Sequence, residues 1–230
     1  GTGNFTIEAW IYRDEDIGNT GYIAGQSSSS GNNASGAIQL QVGSNNKLTS
    51  YIFNAADSGA SYLTLEPSSA TISDNKWYHV ALVRNGTAFN LYQDGTSIAN
   101  TTSSIGVQNS TYKFAVGALG EYTAGHWKGW ISNYRFVKGT AVYTSNFTPS
   151  TSPLTAITNT KLLCCQDSTV TTDNSGTSKS LSVTAANTYT QQMSPFTYDW
   201  YQDHSGQDNH YQPDNLTIND IMLDTPTNNF

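Results

Sequence analysis

The chain has 230 residues, a formal net charge of −7 and only ten Lys and Arg residues. This composition opposes nucleic-acid binding, because phosphate backbones attract clustered cations. Hydrophobic residues make up 37 % of the chain and charged residues 12 %, which predicts a buried core beneath a surface rich in Ser, Thr, Asn and Gly. No apolar run is long enough to span a bilayer, so membrane insertion is not predicted.

Alternation of polar and apolar residues predicts strands from the first residues onward. Residues Phe5 to Tyr12 repeat with period two, which is typical of a strand. Ala37 to Val42 and Leu48 to Phe53 flank the turn-forming residues 43–46, so they predict a hairpin.

Residues 76–100 contain three runs separated by Asn85-Gly86 and Asp94-Gly95. These dipeptides favour tight turns, so the segment predicts a three-stranded meander. Further strands are predicted at Lys113 to Ala118, Trp127 to Val137 and Lys161 to Gln166. Because no segment has sustained helical periodicity, the sheets must cover one another, which predicts an antiparallel sandwich.

The two cysteines are neighbours, Cys164 and Cys165. Successive side chains of a strand point to opposite faces, so a bond between these two would distort the strand. The sequence therefore predicts two free thiols.

Three segments together resemble the laminin-G-like, concanavalin-A-like lectin/glucanase superfamily, and the similarity spans about residues 4–166. They are Phe5 to Ile11, Lys76 to Gly95 and Trp127 to Phe136. The resemblance implies an all-β, antiparallel jelly-roll β-sandwich with a polar, loop-rich C-terminal extension. Residues 137–149 and 162–166 look like versions of this domain found in virion proteins of marine tailed bacteriophages, either fibre or decoration proteins.

The resemblance also implies a domain organisation. Residues 1–168 are predicted to form the sandwich, residues 169–196 a polar β or linker segment that completes it, and residues 197–230 a connector to a further domain. The family's domain usually begins with a strand before the segment at Phe5. Either that strand lies upstream in the intact protein, or a later segment such as Ser180 to Thr184 fills the edge.

Catalysis is not predicted. Glucanases on this fold carry alternating Glu-x-Asp-x-Glu on one strand face, and glycoside hydrolysis generally requires two carboxylates. Glu8 stands alone between apolar residues, whereas Glu66 and Glu121 lie in loop-like segments. Glu8 is therefore predicted to be solvated or on an edge strand.

Sugar sites combine aromatic faces with amide or carboxylate groups. Alternation places Trp127 and Trp130 on opposite faces of a strand, so one of them packs inside. Trp10 and Trp77 are assigned to the core, and His79 is predicted to be a hydrogen-bonded structural histidine. The candidate sugar ligands are Tyr122, His126, Trp130 and Asn133.

Laminin-G-like sandwiches often hold Ca²⁺ at their rim through loop oxygens. The candidate ligands are Asp14, Asp16 and Asp57, and the alternative is that these residues simply form turns. No other cofactor is predicted.

The resemblance implies a non-catalytic surface or structural protein of a virion. It would be a capsid fibre, tail fibre or decoration protein. It would be a homo-oligomer or multi-copy assembly on the extracellular particle, contacting other virion proteins and attaching to host-surface glycans. The alternatives are a polysaccharide-degrading glycoside hydrolase of the same fold and a purely structural cement protein.

Overall fold

Two antiparallel sheets form the protein, as a computed structural model of the chain shows. The structure describes residues 1–14, 18–27, 36–121, 124–166, 169–183, 195 and 196, which all belong to one unit, Gly1–Phe196. Eleven strands and one short 3₁₀ helix, Ala55–Asp57, are described. The strands are β1 Phe5–Arg13, β2 Gly21–Gly25, β3 Ile38–Val42, β4 Leu48–Phe53, β5 Tyr62–Leu65, β6 Trp77–Asn85, β7 Ala88–Gln93, β8 Thr96–Thr102, β9 Ala115–Val116, β10 Gly129–Lys138 and β11 Thr160–Cys164.

The larger sheet has six strands in the order β11-β10-β1-β6-β7-β8, and the smaller has five in the order β5-β4-β3-β2-β9. Every named strand pair is antiparallel. The predicted all-β jelly-roll sandwich is thus confirmed. Within the described residues no helix has the length and apolar character needed to cross a bilayer.

Aliphatic side chains of both sheets form the core between them. From β1, Ile7, Ala9 and Ile11 enter the main cluster, where they join residues of the smaller sheet such as Leu40 and Ile52. All five are essentially shielded from solvent. The intervening residues of β1 therefore lie on the outer face of the larger sheet, because strand side chains alternate.

The predicted meander is β6-β7-β8, with its turns at the predicted dipeptides. At the second turn both Asp94 and Gly95 have positive φ, 48° and 77°, as a tight hairpin with the correct twist requires. Gly95 is also needed for packing, since a Cβ there would lie 1.7 Å from the Phe147 carbonyl oxygen. The hairpin β3-β4 is likewise where the sequence predicts it.

The assignment of Trp10 and Trp77 to the core was wrong. Trp10 pairs with His79, and Trp77 pairs with Tyr12. Both tryptophans are half-buried and lie on the outer face, because the core face of β1 is taken by its aliphatic residues. The alternation predicted for the other two tryptophans is confirmed, since Trp127 packs against the core and Trp130 pairs with Tyr12 on the outer face.

Residues 173–177 lie along the free edge of β11. Residues 180–183 are described and form no strand. Instead, the Leu163 amide donates to Asp173 Oδ1 at 3.1 Å, and the Asn174 amide donates to the Leu163 carbonyl at 2.7 Å. The predicted connector, residues 197–230, lies outside the described residues.

Candidate functional site

Three aromatic side chains lie side by side on the outer face of the larger sheet. Tyr12 of β1 is directly opposite Trp77 of β6 on one side and Trp130 of β10 on the other. We call these three residues the aromatic row. Because they share one level on three adjacent strands, the row runs across the strands.

The Tyr12 ring contacts the rings of both tryptophans. The ring centroids of Tyr12 and Trp77 are 5.5 Å apart with the planes tilted by 59°, and those of Tyr12 and Trp130 are 5.1 Å apart at 75°. These separations are typical of attractive aromatic pairs. All three side chains are half-buried, so each is fixed by its neighbours yet keeps part of its surface in solvent.

Polar groups surround the row. The Tyr12 hydroxyl donates to Asn75 Oδ1 at 3.3 Å, and the Asn75 amide donates to the Arg13 carbonyl at 2.7 Å. Lys128, two residues before Trp130, is exposed. The Lys76 ammonium instead lies 5.0 Å from the ring centroid of Tyr78, a core residue on the other face of β6. The site thus combines apolar faces with an amide group and an exposed lysine at its margin.

The same face is covered nearer the start of β1. Residues 139–155, which we call the covering segment, pack Ala141, Tyr143 and Phe147 against a small apolar cluster of β6 and β7. The segment is attached at Gly95, whose carbonyl accepts from the Phe147 amide at 2.9 Å. The outer face therefore has an open half at the row and a covered half beneath the segment.

Glu8 lies at the centre of the covered half. Its Oε1 accepts from Nε and Nη2 of Arg135 at 2.8 and 2.6 Å. Its Oε2 accepts from the Tyr143 hydroxyl at 2.7 Å and lies 3.2 Å from His79 Nε2. Since an ionised carboxylate only accepts, the His79 nitrogen is the donor. The prediction for His79 is confirmed.

The prediction that Glu8 is solvated or on an edge strand was wrong. Its side chain has no exposure, and β1 is an interior strand between β10 and β6. Burial raises the pKa of Glu8, but the hydrogen bond from His79 and the charge of Arg135 outweigh it and hold the pKa below its usual value. Four donors therefore occupy the two carboxylate oxygens of Glu8.

The structure separates the residues predicted as sugar ligands. Trp130 belongs to the aromatic row, whereas His126 is exposed and forms an isolated bridge with Tyr22 of the smaller sheet. Asn133 is 2 % exposed, and its Oδ1 accepts from the Leu154 amide and Gln166 Nε2, both at 2.8 Å. Its assignment as a ligand was therefore wrong. Tyr122 lies outside the described residues.

Two of the three predicted calcium ligands are described. Asp14 directly follows β1 of the larger sheet, whereas Asp57 ends the 3₁₀ helix between two strands of the smaller sheet. Asp57 Oδ2 accepts from the Ser61 amide at 3.0 Å, a local turn contact. Across the described ranges there is no group of three or more His, Cys, Asp or Glu side chains suited to a metal ion. Asp16 lies outside them, and calcium binding stays a prediction.

Sequence reasoning missed Tyr12 and Trp77 as site residues. The available signal was the aliphatic run of Ile7, Ala9 and Ile11, which identifies the core face of β1 and thereby assigns Tyr12 to the other face. Tyr12 and Trp77 are neighbours because of the register between β1 and β6. More than sixty residues of chain separate these two strands, so the local sequence does not indicate the contact.

The fold and the outer-face site define the class of the protein: a concanavalin-A-like jelly-roll sandwich. Residues 1–146 match the family described as the concanavalin A-like lectin/glucanases superfamily. This match covers more than half of the chain, and the chain belongs to that family.

Solved structures of similar fold include a proposed carbohydrate-binding protein from Bacteroides ovatus, at 18 % identity and a TM-score of 0.50 over 70 % of this chain and 45 % of that one. A carbohydrate-binding module from a Ruminococcus gnavus sialidase, bound to α2,3-sialyllactose, has 12 % identity and a TM-score of 0.43 over 63 % of this chain and 80 % of that one. The identity with the Bacteroides ovatus protein supports a shared fold only. No curated protein matches the chain.

Proposed function

We propose that the chain is a non-catalytic carbohydrate-binding module and that the aromatic row is its sugar contact. The observation that carries this proposal is the alignment of Trp77, Tyr12 and Trp130 on three adjacent strands. Sugar rings present an apolar face of C–H groups, which aromatic side chains cover well. The resemblance in fold to the proposed carbohydrate-binding protein of Bacteroides ovatus is consistent with this role.

The direction of the row defines how a ligand would lie. Adjacent strands are about 4.8 Å apart, so Trp77 and Trp130 on either side of β1 are separated by roughly 10 Å of sheet. An extended glycan running across the strands would therefore contact more than one aromatic side chain. The marginal Asn75 and Lys128 would meet its hydroxyl groups.

The row is a surface rather than a deep pocket, because all three residues project from a sheet face. Binding at one site would be weak, and multiple copies would be needed for firm attachment. This requirement suits the proposed setting, a fibre or decoration protein on the surface of a tailed-bacteriophage virion, where copies are displayed together on the extracellular particle and bind host glycans. The support for that setting is the sequence similarity of residues 137–149 and 162–166.

The occupied carboxylate of Glu8 supports a non-catalytic role. A glycosidase needs one carboxyl group that can donate a proton and a second that can attack or activate water. Glu8 is buried, and its two oxygens accept from Arg135, His79 and Tyr143. Incubation of the module with the polysaccharide it binds should release no reducing sugar.

The test is a glycan array and host-cell binding assay, with and without a calcium chelator, followed by calorimetry on the best ligand. Trp130→Ala and Trp77→Ala should each weaken binding about tenfold or more, as loss of a central aromatic contact does. The matched control is Tyr51→Ala. Tyr51 is also half-buried, and its ring centroid is 5.5 Å from that of Tyr62. It lies on the smaller sheet, away from the row.

Unchanged binding in both tryptophan variants would contradict the proposed site. Failure of the wild-type module to bind any glycan or host cell would contradict the proposed function and favour a structural cement protein. Loss of binding on chelation alone would place the sugar contact at a calcium-dependent rim instead.

A further inference from the structure

The two cysteines lie side by side at the end of β11, the edge strand of the larger sheet. Cys164 is the last residue of the strand, and Cys165 follows with a φ of 60°. Because the chain leaves the strand at Cys165, the side chains do not point to opposite faces. Their Sγ atoms are 3.7 Å apart, which revises the expectation that a strand holds them apart.

Contacts on both sides hold this turn in place. The Cys165 carbonyl accepts from the Asn133 amide at 2.9 Å. The next residue, Gln166, donates through Nε2 to Asn133 Oδ1 and to the Leu154 carbonyl, at 2.8 and 2.7 Å. The proximity of the two thiols is thus part of the folded architecture.

The two thiols differ in exposure. Cys164 is 3 % exposed and belongs to the core, whereas Cys165 is half-buried and packs against it. Tyr134 lies opposite Cys164 on β10, and its buried hydroxyl has no hydrogen-bond partner in the described part of the chain.

We propose that Cys164 and Cys165 are a redox-active vicinal dithiol that small disulfides, of the class of glutathione disulfide, oxidise to a bond between the two neighbours. The Cys165 thiolate attacks one sulfur of the disulfide and expels a thiolate, which takes up the proton that Cys165 lost. The Cys164 sulfur then attacks the Cys165 sulfur, loses its own proton, and expels the second thiol. Two protein thiols are oxidised by two electrons, and one disulfide is reduced to two thiols.

The order of the two steps follows from the environment of each thiol. A hydrogen bond with Cys165, together with burial, raises the pKa of Cys164, so this thiol is a poor first nucleophile. It is well placed for the second step, because its target sulfur is already adjacent.

The product is expected to be easily reduced. Consecutive Cα atoms across a trans peptide bond are about 3.8 Å apart, shorter than the roughly 4.4–6.8 Å that disulfides usually span. Such a bond is strained and has a more oxidising potential than a typical structural disulfide. The pair therefore suits reversible oxidation.

The experiment treats the full chain with glutathione disulfide and follows intact mass and alkylatable thiols. The chain has only two cysteines, so every thiol that is lost or alkylated belongs to this pair. Wild type should lose both alkylatable thiols and two hydrogen masses, remain monomeric, and recover both thiols with dithiothreitol. Accumulation of glutathione adducts or of disulfide-linked dimers, without the intrachain bond, would overturn the proposal.

Single variants assign the two steps. Cys164→Ser should trap a stable glutathione adduct on Cys165, whereas Cys165→Ser should react many-fold more slowly. A measurement on the wild type covers the case in which a variant fails to fold: brief alkylation of the native protein, followed by peptide mapping, should modify Cys165 first. Modification of Cys164 first would contradict the proposed order and the proposal with it.

Discussion

The two halves of the outer face of the larger sheet are built from different residues and serve different purposes. In the covered half, Glu8, Arg135 and His79 are sealed beneath the covering segment and satisfy one another. In the open half, Tyr12, Trp77 and Trp130 contact one another but keep part of their surface in solvent. Polar residues thus hold the fold where water is excluded, and aromatic residues remain available where it is not.

This difference predicts that variants of the covered half affect folding and variants of the open half affect binding. The largest effect is expected from Glu8→Gln, which removes the negative charge opposite the buried guanidinium of Arg135. Breaking a buried ion pair on one side costs about 3–5 kcal/mol of the free energy of unfolding. Urea denaturation followed by tryptophan fluorescence measures this loss.

The control for Glu8→Gln is Glu121→Gln. Glu121 pairs with Lys113 at 3.7 Å, and both side chains are well exposed, so its loss should cost below about 1 kcal/mol. Equal destabilisation in the two variants would mean that the covered half has no special role in stability.

Tyr143→Phe should give the next largest effect. The variant keeps the stacked contact with Phe147 but loses the hydroxyl that donates to Glu8 at 2.7 Å. A hydrogen bond to a charged group contributes about 1.5–3 kcal/mol, which the same urea titration resolves. The effect should largely vanish in a Glu8→Gln background, and full additivity of the two substitutions would contradict a shared network.

The strands of the larger sheet were more predictable than its site. Asn85-Gly86 and Asp94-Gly95 specify turns through local backbone preferences, so β6, β7 and β8 could be located from the sequence. Two strands of the smaller sheet were not predicted, also for local reasons. The strand β2, Gly21–Gly25, has glycine at both ends, and β5, Tyr62–Leu65, has only four residues. Glycine favours turns, and four residues are too few to establish an alternating pattern, so neither segment was recognised as a strand.

The environments of individual polar residues could not be predicted in this way, because their partners are distant in the chain. Glu8 contacts Arg135 only because β1 pairs with β10, and the residues around Glu8 give no indication of that partner. Asn133 resembles a surface ligand in sequence, but it has a φ of 53° and is buried against Leu154 and Gln166. The register between strands determines the environment of Glu8, and a local change of backbone direction determines that of Asn133. Neither can be recognised from the neighbouring residues.

In the open half, Trp130→Ala is expected to cost about 1–2 kcal/mol of the free energy of unfolding, because it removes one edge-to-face contact and the burial of part of a ring. The protein should therefore stay folded at 25 °C while losing glycan affinity. Calorimetry and urea denaturation on the same preparation separate the two effects. Collapse of the fold in this variant would show that the row is a structural cluster.

Acid should produce the smallest change, and it again distinguishes the two halves. The pKa of Glu8 is lowered on folding, since its hydrogen bonds and the charge of Arg135 outweigh burial. Its contribution is therefore present above the ordinary value near 4.5 and is lost as the pH falls through the folded-state pKa. The opposing effect of burial keeps the net contribution small. Between pH 6 and about pH 3, the difference in urea midpoint between wild type and Glu8→Gln should narrow slightly as the pH falls, whereas the difference between wild type and Trp130→Ala should stay constant. Divergence of the first pair in acid would mean that the pKa of Glu8 is raised in the folded protein.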